Sequence, residues 1–84
     1  MRPYKTLTFG PGEIPAGLLR DHNLRAGTWG RLRVTCGALT YVDDAGSARL
    51  EAGDTKIIEP ERSHHIEPGD GTGIQIEFYD APPD

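Results

Sequence analysis

Three histidines carry most of the chemistry this sequence could perform: His22, at the head of the run HNLRAGTWGRLRVTCGALTYV, and the doublet His64 and His65. A neutral imidazole is a donor for divalent metals such as zinc, nickel, manganese or iron. Two imidazoles alone make a weak site, so a carboxylate or ordered water has to complete one, and Glu67 and Glu77 are the candidates. Simple alternation turns both away from the neighbouring aliphatic face, and the plainer reading of each is a solvated carboxylate. Trp29, between Thr28 and Gly30, could line a ligand pocket with a large apolar wall and one N–H donor, although a tryptophan in such a setting is more often core. Cys36 sits among inward-facing aliphatics and is read as an inert packed thiol. Arg31 and Arg33 alternate with Leu32 and Val34 and therefore face solvent rather than an oxyanion.

These residues need strands to hold them. Leu32, Val34 and Cys36 alternate with Arg31, Arg33 and Thr35, the period-two pattern of a strand with one wet face. Gly37 interrupts before Leu39 to Val42 resumes, so a bulge or tight hairpin joining two antiparallel strands is expected there. Upstream, Tyr4 to Phe9 reads as a first edge strand broken by Gly10-Pro11-Gly12, and Ile14 to Leu19 as a loop passing into a short strand that ends near His22. Downstream, turn clusters at Asp43 to Ser47 and Ala52 to Asp54 bound strands at Ala48 to Glu51 and Thr55 to Glu59. A histidine-bearing strand follows, and Ile74, Ile76 and Phe78 alternate in the last one. In the doublet, His64 shares a face with Ile66 and His65 with Glu67, so a buried Ile66 brings His64 inward and leaves His65 outside.

Composition bounds the class. Eighty-four residues make one domain, 1–84, with a single modest core that dimerisation or a metal would help stabilise. Eleven glycines and seven prolines against 36% hydrophobic residues favour short strands and turns, hence an all-β barrel or sandwich. Thirteen acidic against nine basic residues, a formal charge of −4 without a basic cluster, argue against nucleic acid or an anionic membrane as partner and for small molecules or proteins. With no apolar run of membrane-spanning length, no secretory core in MRPYKTLTFG and one cysteine, the cytoplasm is the expected compartment. Glycines 10, 12, 69, 71 and 73 precede no helix and form no phosphate loop; they are turn residues.

The order of a strand-end histidine, a glycine-bounded pair of strands and IIEPERSHHIE resembles a cupin, and together with IEFYD it is similar to the small cupin-like domain of tellurite-resistance-related proteins. That resemblance implies an antiparallel, jelly-roll type barrel whose metal ligands come from two motifs. His22 fits the leading histidine of the first, but Leu24 stands where a second is usual and the motif's glutamate is missing. In the second motif, strict cupin spacing from Pro60 selects His65, whereas the narrower family's spacing and the pleat select His64. The expected function is thus a metal-binding domain with a small-molecule or oxyanion pocket. The alternatives are an oxygenase with two histidines and a carboxylate on non-haem iron, and a metal-free homodimerisation module of the kind that precedes a methyltransferase in some relatives. Methyl transfer itself is not expected of 84 residues.

Overall fold

The alternation around Leu32 becomes strand β2, Trp29–Cys36, in a computed structural model that describes residues 2–83. Met1 and Asp84, the two ends of the expected 1–84 domain, lie outside the described residues. Gly30, Leu32 and Val34 face inward and are buried, while Arg31 and Arg33 occupy the other face. The remaining strands are β1 (Lys5–Phe9), β3 (Ala38–Asp43), β4 (Gly46–Glu51), β5 (Thr55–Ile58), β6 (His64–Pro68) and β7 (Gly73–Tyr79). They form two antiparallel sheets, ordered β1-β7-β2-β5 and β4-β3-β6, so the expected all-β class holds. No helix among the described residues is long and apolar enough to cross a membrane.

The sheets pack inner face to inner face. Leu32 lies opposite Ile76 and Val34 opposite Ile74 in the first sheet, Tyr41 opposite Ile66 in the second, and all six are buried. Each aliphatic so placed contributes about 1.5–3 kcal/mol relative to leaving it in water. Because the pleat alternates, the same register puts Trp29, Arg31, Glu77 and Tyr79 on the outer face of the first sheet.

Gly37 corrects one expectation. It does not close a hairpin: β2 pairs with β5 and β7 in one sheet, β3 with β4 and β6 in the other, and Gly37 is the corner between them. Its φ of 71° lies in the left-handed region, and a Cβ there would stand 2.9 Å from the Thr72 Cα. The bulge does exist, as a register shift between Val34 and Cys36 against β7. Cys36 beyond it is half-buried, its S–H donating to the Gly71 carbonyl at 3.4 Å, which suits a packed thiol. The tight hairpin comes one strand later, β3 to β4, where the Asp43 carboxylate accepts the Ala45 N–H at 2.9 Å.

The segment read as a loop and short strand before His22 holds instead a 3-10 turn, Ala16–Leu19, that packs against β6. Pro15 directly before it and Gly17 within it disfavour a longer α-helix. The chain then runs alongside β6 for one residue, with the His22 and His64 backbones exchanging N–H to C=O hydrogen bonds of 2.8 Å each way. Two residues on, Leu24 bridges Pro60 in parallel fashion. This segment thus links β6 of the second sheet to the chain just past β5 of the first.

Candidate functional site

Where that segment bridges the sheets it roofs a cavity of about 290 Å³. The floor is the inner face of the first sheet: Leu7 and Phe9 of β1, Ile76 and Phe78 of β7, and Ile58 of β5. The roof is Pro15, Gly17, Leu18 and Leu24, and His22 and His64 supply the polar end. Strand pairing explains this arrangement, since Leu7 lies opposite Ile76 and Phe9 opposite Ile74, so β1 widens the apolar face that β7 begins.

The two histidines meet because reciprocal backbone bonding in an antiparallel bridge puts both side chains on one side. Their ring centroids stand 5.5 Å apart, edge to face at 83°. His22 is exposed at the rim, whereas His64 is only 5% exposed and stacks on Tyr41 with centroids 5.4 Å apart. Nδ1 of His64 lies 3.1 Å from the Arg62 carbonyl oxygen. A carbonyl only accepts, so Nδ1 carries the proton of the neutral ring and Nε2 keeps the lone pair. Burial pushes the His64 pKa down, against the opposing pull of the Arg62 hydrogen bond, so the neutral ring prevails at pH 7.

His65 points the other way. Its Nε2 lies 2.8 Å from the Glu67 carboxylate and its Nδ1 3.6 Å from Asp21, and the Glu67 hydrogen bond raises its pKa. Glu67 is thereby engaged on the outer face of the second sheet. Glu77 lies on the outer face of the first, opposite Arg31 and Thr6 in register, and accepts the Tyr79 hydroxyl at 3.3 Å. Trp29 pairs with Tyr79 on that same face and does not line the cavity. The expected set therefore divides: His22 and His64 come together, while Glu67, Glu77 and Trp29 stay outside. Among the described residues no group of three His, Cys, Asp or Glu side chains converges as a metal site, so any divalent ion between the imidazoles would need water or a ligand for its other positions.

Sequence reasoning missed the apolar wall. Leu7, Phe9, Leu18 and Phe78 carry the cavity as much as the histidines do, and alternation in Leu7 and Phe9 was the available signal. Tyr41, which braces His64, has its own pKa pushed well up by burial and so remains a neutral phenol.

Comparison with known proteins places these features in a family. The sequence model of the TehB-like domain matches residues 5–76. Among solved structures, a protein from Escherichia coli superposes with a TM-score of 0.82 at 26% identity, covering 98% of this chain and 91% of that one. TehB from Haemophilus influenzae gives 0.79 at 24% identity over 90% of this chain, which spans 30% of that protein. A sugar phosphate isomerase from a cupin superfamily, from Silicibacter pomeroyi, gives 0.55 at 22% identity, with coverage of 87% and 46%, and shares the fold. No curated protein matches the chain by sequence. With 72 consecutive positions matched and a cupin-like sandwich throughout, the chain belongs to the TehB-like domain family.

Proposed function

We propose that this cupin-like domain is a small-molecule-binding module whose ligand sits in the cavity between the sheets, its apolar body against Leu18, Ile58 and Ile76 and its polar group at His22 and His64. The observation that carries this reading is an open apolar cavity ended by two imidazoles, the arrangement in which shape supplies affinity and a few polar atoms fix orientation. A ligand of ten or so heavy atoms, at roughly 0.4–0.5 kcal/mol per atom, gives a Kd of about 0.2–1 mM. Titration of the isotopically labelled chain with small aromatic and aliphatic compounds tests this. Amide shifts are expected to concentrate in residues 15–24, β1 and β6, and Leu18→Trp, which fills the cavity, is expected to abolish them. Shifts spread evenly over both outer faces, or unchanged in Leu18→Trp, contradict the reading.

A second reading, a divalent metal held by His22 and His64 with the ligand completing its coordination, is favoured by one feature. The Nδ1–H bond to a backbone carbonyl leaves Nε2 of His64 as a metal-ligating histidine presents it. Calorimetric titration with zinc should then show binding that is weakened by orders of magnitude in His22→Ala or His64→Ala and unaffected in His65→Ala. The iron-oxygenase alternative requires a carboxylate that converges with both imidazoles on one ion, and among the described residues no such group of three forms; Asp43, opposite His64 in register, is 3.9 Å from Arg62 instead.

A further inference from the structure

The hydrogen-bonding state of His64 narrows the kind of ligand the cavity takes, on the footing that the small-molecule reading holds. No lysine, arginine, aspartate or glutamate lines the cavity. No buried side-chain nitrogen or oxygen among the described residues lacks a partner, so Nε2, with Nδ1 committed to Arg62, is not sealed in the core; its free edge meets accessible space at the cavity. The polar end of the cavity thus presents an acceptor.

We propose that the cavity selects a neutral molecule with an apolar body of up to the size of two fused rings bearing one hydroxyl, which donates its proton to His64 Nε2, and that it rejects carboxylates and other oxyanions of the same shape. The size follows from the volume: about 290 Å³ is roughly twice the ~150 Å³ of an apolar cavity that takes benzene. The charge preference follows from desolvation. A hydroxyl entering the cavity exchanges a bond to water for one to Nε2. An anion would lose its hydration against aliphatic walls and face a lone pair of its own sign. His22 stands at the solvent rim, where any attraction for an anion is screened.

The test ranks four probes of one shape by amide-shift titration of the whole chain at pH 7.5 with chelator present: naphthalene, 2-naphthol, 2-methoxynaphthalene and 2-naphthoate. One hydrogen bond of ordinary net strength is worth about three- to tenfold in Kd, so 2-naphthol should bind that much more tightly than naphthalene. 2-Methoxynaphthalene, which keeps the oxygen but has no proton to donate, should gain nothing over naphthalene. 2-Naphthoate should bind at least about tenfold more weakly than 2-naphthol. In His64→Phe the advantage of 2-naphthol should vanish while naphthalene still binds; should that variant not fold, the methoxy comparison in the wild-type chain decides the same point. Equal or tighter binding of 2-naphthoate, or a methoxy compound as good as the naphthol, overturns the hydroxyl-donor inference while leaving the cavity as a ligand site. Binding of none of the four at cavity residues overturns both.

Discussion

His64 and His65 are neighbours in sequence with opposite surroundings, and their titrations should show it. Burial, aided by His22, holds the His64 pKa below its ordinary value against the pull of the Arg62 carbonyl and Asp43. Between its folded and unfolded values the unfolded chain binds the extra proton, so its contribution to stability is complete above about pH 6.5 and is lost as pH falls through the folded value. His65 has the reverse sign: Glu67 and Asp21 raise its pKa, so its contribution is complete below about pH 6.5 and is lost as pH rises through the folded value. Ring resonances should therefore give midpoints below about 6.5 for His64 and above it for His65. The reversed order contradicts the burial described above, and His65→Gln should flatten the alkaline loss seen by urea denaturation at a series of pH values. The inward position of His64 was legible in the sequence because Ile66, two residues on, had to be buried. The outward position of Trp29 is equally legible, since carrying the Leu32 and Val34 phase back two residues makes Gly30 the inward one.

At the scale of elements, strands announced themselves and their partners did not. Alternation is local, and β2, β3, β6 and β7 lie where it places them; pairing depends on residues far apart in sequence, so of the bulge or hairpin expected at Gly37 the bulge is present and the hairpin is a corner between sheets. The corner makes a measurable claim. Gly37→Ala forces a side chain into the left-handed region and against the Thr72 backbone, and is expected to cost about 2–4 kcal/mol in urea denaturation. Gly12→Ala shares the positive φ, but its Cβ meets nothing within 4 Å, so about 1 kcal/mol is expected. Equal costs at both positions would mean that close approach at the corner contributes nothing. The cavity roof was the least legible element, because a 3-10 turn leaves no periodic trace in four residues.

For the whole molecule, an 84-residue chain with two small sheets leaves β1, β5, β4 and β6 at sheet ends, with Tyr4 58% exposed beside β1. A two-fold dimer that covers such edges is the expected assembly, and sedimentation at micromolar concentration should give twice the mass of one chain. A single species at the monomer mass contradicts it. All-β class and the family were readable from turn spacing and from the segments around His22 and His64, whereas the cavity is a property of how the two sheets and the roof meet and has no counterpart in any one stretch. The most direct test of that cavity as the ligand site is a set of intermolecular nuclear Overhauser contacts from 2-naphthol ring protons to assigned methyl groups. Contacts to Leu18, Leu24, Ile58 and Ile76 and to the His64 ring are predicted. Contacts to Ile57 and Val42 on the outer faces instead, or none at millimolar ligand, would contradict it.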